Sequence, residues 1–215
     1  MSHRERKRKP ARNAPSLDPR PRILIVCEGA NTEPQYLNGL RSHFKNPRVQ
    51  IETQGGKGVP KTLVSVAKKW RDEAIAKSFR EDDENLLYEQ VWCVFDIDEH
   101  PEISNAIAMA RDNHIQLAIS NPCIELWLLL HFRDHPGAQH RHKMKELLEE
   151  FVPGYDKKIE IAKFIDGYPD AVRRAERLAR AIDDLPEWKR NPSSGLFRLT
   201  RVMAEEATPI DSEAT

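Results

Sequence analysis

Two short apolar runs, each followed directly by acidic residues, constrain the fold of this chain more than any other feature. The first run covers residues 23–27 and leads into Glu28 and Gly29, and the second covers residues 91–95 and leads into the acidic stretch 96–99. Uninterrupted apolar runs of this length are typical of buried strands in a parallel sheet. Ligands of open α/β sheets bind beyond the carboxyl ends of the strands. The two runs therefore predict strands whose acidic ends meet at one site.

Strand and helix patterns alternate along the first 133 residues. Apolar runs and alternating residues predict four strands, at residues 23–27, 49–53, 91–95 and 115–119. Apolar residues three and four positions apart predict a helix after each strand, at residues 36–44, 63–74, 103–110 and 123–130. This order predicts an α/β fold with a mainly parallel four-stranded sheet flanked by helices.

The pattern changes at about residue 134. Residues 134–204 show no convincing strand, and apolar spacing predicts helices near residues 144–151 and 171–182. We expect this part to form a helical appendage packed on an α/β core of residues 22–133. The basic arm of residues 1–21 and the tail of residues 205–215 are expected to be disordered, because they lack apolar periodicity.

The distribution of charge is more informative than its sum. The chain has 34 basic and 34 acidic residues, but the first twelve positions hold a basic cluster (Arg4, Arg6, Lys7, Arg8, Lys9 and Arg12). Such an arm either adds salt-sensitive affinity for nucleic acid or is a solvated tail. No apolar run has the length of a membrane span, and no secretory signal is visible. These two absences predict a cytoplasmic protein without membrane contact. The three cysteines form no C-x-x-C pair, which predicts reduced thiols.

The acidic residues at the strand ends predict metal chemistry. Asp96 and Asp98 are two positions apart, so they share a face if the strand stays extended. Carboxylate oxygens favour Mg²⁺ or Mn²⁺, and such an ion polarises a phosphodiester and activates water. Glu28, from the other strand, is the candidate general acid or base. Acidic residues also end strands simply because loops accept them, and that reading stays open.

Further residues are candidates for completing the site. Glu99 and Glu125 are candidate metal ligands, although Glu125 has the alternatives of pairing with Arg133 or capping a loop. The candidates for substrate contacts are polar residues in turns and loops: Lys57, Asn121, Asn31 and Thr32. Each has a plainer reading, which is a flexible glycine-rich loop for Lys57, helix initiation for Asn121, and helix capping for the other two.

Histidines and arginines in the second half suggest weaker hypotheses. The histidines at positions 131, 135, 140 and 142 lack zinc-ligand spacing, so we expect titratable loop side chains rather than a zinc site. The arginines at positions 173, 174, 177 and 180 either face nucleic acid or form a salt-bridged helix surface with Glu176 and residues 183–184.

The acidic motifs resemble those of two related groups of proteins. Glu28-Gly29 after one strand and Asp96-Ile97-Asp98 after a later strand resemble the Toprim domain of topoisomerases, primases, recombination proteins and overcoming-lysogenization-defect nucleases, over about residues 22–132. Four segments in order are similar to the RloB family, which is associated with restriction loci and abortive phage resistance in bacteria. They are residues 27–33, 94–99, 120–127 and 191–194.

The resemblance implies a Toprim-like, Rossmann-like fold in which Glu28 is the acid/base residue and Asp96 and Asp98 hold Mg²⁺ or Mn²⁺. It also implies a nuclease that cuts DNA or RNA in bacterial phage defence, together with a partner protein of the defence system. The alternative is a non-catalytic nucleic-acid-binding or regulatory subunit that retains the Toprim scaffold. Ala30 departs from the acidic or polar residue of many relatives, so no role is assigned to it. The choice between DNA and RNA and the oligomeric state stay open.

Overall fold

The computed structural model of the protein describes residues 20–54, 59–97, 103–180 and 185–205. Its strands are β1 (Ile23–Cys27), β2 (Val49–Thr53), β3 (Gln90–Asp96), β4 (Gln116–Asn121) and β5 (Ser193–Ser194). Its α-helices are α1 (Thr32–His43), α2 (Pro60–Glu81), α3 (Ile103–Asp112), α4 (Ile124–Leu129), α5 (Arg141–Glu149), α6 (Tyr168–Arg180) and α7 (Leu196–Ala204).

The strands form one sheet in the order β2-β1-β3-β4-β5. Strands β1 to β4 are parallel, and β5 pairs antiparallel with β4. All five residues of β1 are buried, as are the middle five of β3, which fits strands covered by helices on both faces. The predicted fold class is therefore confirmed: an α/β, Rossmann-like protein with a mainly parallel sheet between helices.

Alternating side chains on each strand supply two separate cores. Ile23 and Ile25 belong to the larger core, which also contains side chains from α1 and α4 to α7. Leu24 and Val26 point the other way and pack with side chains from α2 and α3. The larger core matters for function, because it joins the α/β part of the chain to the C-terminal helices at one face of the sheet.

The C-terminal half shares this larger core. Met144, Phe164, Ala171 and Leu196 are all buried within it. This half also contributes strand β5, so the predicted four-stranded sheet and the absence of strands after residue 134 were wrong. The error has a physical cause, because a two-residue strand of serines carries no apolar alternation. Helix α7 was also missed by the sequence analysis.

Several local predictions need correction. Helix α2 continues through Glu81, beyond the predicted end near residue 74. Asn31 is the N-cap residue of α1, but its side chain makes no capping hydrogen bond. Helix α4 begins at Ile124 with Cys123 as its N-cap, two residues after Pro122. The basic arm and the tail beyond residue 205 lie outside the described residues. Among the helices that the structure describes, none has both the length and the apolar character to cross a bilayer.

Candidate active site

The acidic ends of β1 and β3 lie side by side. The two strands are parallel neighbours, with Cys27 opposite Val94. The backbone N–H of Glu28 extends this pairing by donating to the Val94 carbonyl at 3.0 Å. Asp96 is the last residue of β3 and lies opposite Ser120 of β4. Glu28 and Asp96 therefore stand at the carboxyl edge of the sheet, where ligands of such folds bind.

A cavity of about 240 Å³ opens at this edge and is lined by both Glu28 and Asp96. Glu125, from α4, lines the same cavity, as do Asn31 and Thr32 at the start of α1. Five residues that the sequence analysis selected are thus brought together. They come from three segments that are far apart in the chain.

The remaining predicted residues are not in the described lining. Lys57, Asp98 and Glu99 lie outside the residues that the structure describes. Asn121 is described and is buried. Its side-chain amide donates to the Trp188 carbonyl at 3.2 Å, and among the described residues it does not line the cavity. The structure thus gives Asn121 a contact that ties β4 to the C-terminal half.

Glu33 is a candidate functional residue that the sequence analysis missed. It lies in the first turn of α1, is 8% exposed and lines the cavity. A Cβ atom on Gly29 would overlap the Glu33 carboxylate, so glycine at this turn leaves room for the carboxylate in its present position. An acidic residue in a first helical turn is usually explained by the helix dipole, which is why the pattern alone did not single it out.

Glu33, Asp96 and Glu125 form what we call the carboxylate cluster. Burial raises the pKa of Asp96 well above its ordinary value, and the charges of Glu33 and Glu125 raise it further. Burial also raises the pKa of Glu33, and the charge of Glu125 adds to that rise. The Asp96 carboxylate accepts a hydrogen bond from the Ile124 N–H, which lowers its pKa only in part. The cluster therefore favours a compensating positive charge.

Tyr155 fixes one side of the carboxylate cluster. Its hydroxyl donates to Oε1 of Glu125 at 3.2 Å, and both residues are buried. Glu125 does not use the predicted partner Arg133, whose Nε donates to the Asp134 carbonyl at 3.3 Å. The contact with Tyr155 orients Glu125 towards the cavity without neutralising its charge.

Two basic residues from the C-terminal half complete the described lining. Arg141 is the first residue of α5, and Lys157 lies in the connection between α5 and α6. Both are exposed, and their charges act on the cluster: each lowers the pKa of Glu33, against the larger effect of burial. Neither residue was a candidate in the sequence analysis, because this charge-rich half offers no pattern that distinguishes them.

A comparison with known protein families assigns the chain. The model of the family described as RloB-like protein matches residues 23–203. The chain belongs to this family. The match confirms the resemblance drawn from the four sequence segments, and it covers every residue described above at the cavity. No curated protein and no solved structure shows a significant match to the chain.

The donor chemistry of this RloB-like protein fits a hard divalent ion. Among the described residues, no three histidine, cysteine, aspartate or glutamate side chains are grouped to hold a metal ion. Mg²⁺, however, needs only one or two protein carboxylates, and it takes its other ligands from water and substrate. Asp96 with Glu33 or Glu125 supplies such oxygen donors at the cavity. Asp98 and Glu99, the other predicted ligands, are outside the described residues.

The histidines and arginines of the second half of this RloB-like protein have other roles in the structure. His131 is buried in the core, whereas Nδ1 of His135 accepts from the Gly137 N–H. Arg173, Arg174 and Arg177 of α6 form ion pairs with Asp134 and Asp170, which are not the partners expected from the sequence. Glu176 pairs instead with Arg201 of α7, and residues 183–184 lie outside the described part.

Proposed function

We propose that this RloB-like protein is a nuclease that hydrolyses phosphodiester bonds of DNA or RNA with Mg²⁺ or Mn²⁺. The observation behind the proposal is that Glu28, Glu33, Asp96 and Glu125 line one cavity at the carboxyl edge of a parallel sheet. Burial and the neighbouring charges raise the pKa of Asp96, which agrees with a site built for a cation. Like charges held together out of water are costly unless a cation joins them. Because the carboxylates line a polar cavity, a cation bound to them is also accessible to a ligand.

The chain offers Asp96 as the central metal ligand, with Glu33 and Glu125 beside it and with Asp98 and Glu99 as the ligands expected from the sequence. A bound divalent ion supplies Lewis acidity to a phosphoryl oxygen and lowers the pKa of a water molecule. Tyr155 holds Glu125 in place through its hydroxyl, so at least one carboxylate is oriented before any ion arrives. Preorganised ligands of this kind reduce the cost of binding.

Glu28 is the residue proposed to move protons. It ends β1, lines the same cavity as Asp96 and is only partly buried, so water reaches it. Its position is fixed by its own backbone N–H, which pairs with β3. In this role Glu28 takes a proton from the attacking water or gives one to the leaving oxygen, for which a carboxyl group within reach of the reacting atoms is suitable.

The biological role is proposed from the family resemblance. We propose that cleavage serves phage defence in the bacterial cytoplasm, with nucleic acid as substrate and a defence-system protein as partner. The rival proposal is a non-catalytic nucleic-acid-binding or regulatory subunit on the same scaffold. The two proposals differ in one property, which is turnover of a phosphodiester in the presence of metal.

Cleavage assays separate the two proposals. Purified protein is incubated in Mn²⁺ with single- and double-stranded DNA and with RNA, beside Glu28→Gln and Asp96→Asn. Matched controls are Glu84→Gln and Asp112→Asn, which change exposed acids outside the described lining of the cavity. We expect cleavage by the wild type and by both controls, and none by the two site variants. Cleavage that survives both site substitutions would rule out this mechanism, and binding without any cleavage would support the rival.

A further inference from the structure

The cavity is built from both halves of the chain, and the two halves contribute opposite charges. The α/β part supplies Glu28, Glu33, Asp96 and Glu125, which are all acidic. The C-terminal half supplies Arg141 and Lys157. The structure therefore brings acidic and basic side chains together around one cavity of about 240 Å³, and we call them its acidic side and its basic side.

The basic side is held in place by contacts to the acidic side. The segment that carries Lys157 is attached at both ends: the Tyr155 hydroxyl donates to Glu125, and the Ile159 N–H donates to the Gln35 side chain of α1 at 3.0 Å. Between these attachments Lys157 has a φ of 57°, which non-glycine residues adopt in only a few per cent of cases. The two attachments thus hold the backbone on both sides of Lys157 beside α1 and α4.

Arg141 is held by the helix that it begins. Helix α5 packs on α4 through the buried side chains of Met144 and Leu148. Since α4 carries Glu125, the packing of the two helices sets the distance between Arg141 and the carboxylate cluster. The charge of Arg141 reaches both Asp96 and Glu33.

The charges suggest a ligand once the metal is considered. Without an ion, Arg141 and Lys157 partly offset the carboxylates. With a divalent ion on the carboxylates, both basic residues lie near a second positive centre, and an anion placed between them is attracted by the ion and by both side chains. A phosphodiester has one charge and two free oxygens, which suits a place between a metal ion and a guanidinium or ammonium group.

We propose that Arg141 and Lys157 bind the phosphate backbone of the nucleic-acid substrate, so that the C-terminal half of the chain is the substrate-binding side of the active site. This inference rests on the proposed nuclease function and adds the residues that receive the substrate. Its competitor is a local role, in which the two residues serve only as counter-ions that stabilise the carboxylates in the folded protein.

The test measures nucleic-acid binding apart from cleavage. Fluorescence anisotropy follows a single-stranded DNA and an RNA oligonucleotide of the same sequence in Ca²⁺, with gels to verify that the strands stay intact. The variants are Arg141→Gln and Lys157→Gln. Their controls are Arg111→Gln, on an exposed arginine at the end of α3, and Lys158→Gln, on the exposed neighbour of Lys157. Each protein is measured over a range of salt concentrations.

We expect each site variant to bind roughly tenfold more weakly, as for the loss of one charged hydrogen bond. The slope of log K against log salt should become shallower by about 0.7 for each lost phosphate contact on a single strand. Lys157→Arg should keep the slope of the wild type, because it keeps the charge. The controls should keep both affinity and slope. A counter-ion role instead predicts altered thermal stability with an unchanged slope.

The outcomes for the two proposals can be distinguished. If the wild type cleaves in Mn²⁺ but the site variants bind with wild-type affinity and slope, the inference is overturned and the nuclease proposal stands. If the variants lose binding while the wild type never cleaves, the nuclease proposal fails and the binding role of the two residues stands. If the wild type binds neither oligonucleotide, the inference is overturned as well.

Discussion

Helices α1 and α4 contribute to two buried polar groups that have opposite electrostatic character. The first is the carboxylate cluster, with Glu33 on α1 and Glu125 on α4. The second we call the histidine cluster, which consists of His131 and the aromatic rings of Tyr36, Trp127 and Phe164 around it. One cluster opens to a cavity at the sheet edge and the other is enclosed in the core.

The His131 imidazole at the centre of the histidine cluster is a satisfied polar group. Nδ1 of His131 lies 3.0 Å from the Trp127 carbonyl, and Nε2 lies 3.0 Å from the Tyr36 hydroxyl, so both ring nitrogens have partners. Burial lowers the pKa of His131 to about 4, which keeps the ring neutral near pH 7. A polar side chain with a purely structural role is buried in this way, as a neutral group whose hydrogen bonds are satisfied.

The carboxylate cluster shows the opposite arrangement. The charges of Glu33 and Glu125 raise the pKa of Asp96, the charge of Glu125 raises that of Glu33, and the described basic neighbours do not remove these effects. A fold gains nothing from like charges placed together out of water, so their retention points to a ligand. Burial alone therefore does not mark a functional site. The informative feature is a buried polar group whose electrostatic cost the protein itself offsets only in part.

Substitution of Asp96 in the carboxylate cluster should have the strongest effect on activity. Asp96→Asn should reduce cleavage in Mn²⁺ by about 100-fold or more, because it removes the central metal ligand. In the absence of metal the same variant should be more stable than the wild type, since a neutral amide is not repelled by Glu33 and Glu125. Initial cleavage rates and urea unfolding in EDTA measure the two effects. A variant that loses both activity and stability would remove the contrast between the clusters.

His131→Ala, in the histidine cluster, should lower the stability of the protein and leave its cleavage activity nearly unchanged. Loss of the ring leaves a core cavity and deprives the Tyr36 hydroxyl of its partner, so the free energy of unfolding should fall by about 3 kcal/mol. The cleavage rate of the folded fraction should stay within a factor of about three, because His131 does not line the active-site cavity. His135→Ala, at an exposed position, is the matched control and should change stability by less than about 0.5 kcal/mol.

The pH dependence of stability should have opposite signs for the two clusters. The pKa of His131 is about 4 in the folded protein against 6.5 for the free side chain. Between pH 6.5 and pH 4, His131 is protonated in the unfolded chain but stays neutral in the folded protein. The free energy of unfolding therefore falls by about 3 kcal/mol as the pH is lowered through this range. Urea unfolding of the wild type and of His131→Phe at several pH values measures this loss as a difference between the two curves.

For Asp96 and Glu33, whose pKa values are raised in the folded state, the sign is reversed. In EDTA and below the unfolded pKa of about 4, both carboxyl groups are protonated in the folded and the unfolded state, so they do not lower the free energy of unfolding. This free energy falls as the pH rises from there towards the folded pKa. The difference between the wild type and Asp96→Asn should therefore grow with pH. A difference that shrinks with rising pH would contradict the electrostatic account of the carboxylate cluster.

A smaller effect is expected at Gly29. Gly29→Ala places a Cβ against the Glu33 carboxylate, which must move. We expect a roughly tenfold loss of cleavage, since small displacements of active-site groups are costly. In the double variant Gly29→Ala/Glu33→Asp, the shorter acidic side chain has room beside the new Cβ atom. This double variant should be as stable as Gly29→Ala. Wild-type activity in Gly29→Ala would show that the position of Glu33 does not matter for the reaction.

The sequence allowed the fold class and about half of the candidate site to be predicted. Strands β1 and β3 were predictable because their apolar runs are continuous and acidic residues follow at once. Glu125 was predictable because a charge within an apolar helix needs an explanation. These are features that a few neighbouring residues reveal.

The other part depends on contacts between distant segments. Glu33 has the ordinary appearance of an acid in a first helical turn, and only its proximity to Asp96 makes it unusual. Arg141 and Lys157 belong to a charge-rich region. Arg141 reaches the cavity through the packing of α5 on α4, and Lys157 through the contacts of Tyr155 and Ile159. Asn121 looked like a site residue because it lies in the polar turn expected after the fourth strand, yet its amide donates to the Trp188 carbonyl. No local pattern records these arrangements.

The central claim is that the carboxylate cluster is the place of a divalent ion, and its most direct test is a crystal structure of the protein soaked in Mn²⁺. Anomalous scattering at the manganese edge locates the ion independently of any assay. The account predicts a peak in the cavity beside Asp96, with Glu33 or Glu125 as a further ligand, and no such peak in Asp96→Asn. A wild-type crystal with no manganese in this cavity, or with the ion bound only elsewhere, would contradict it.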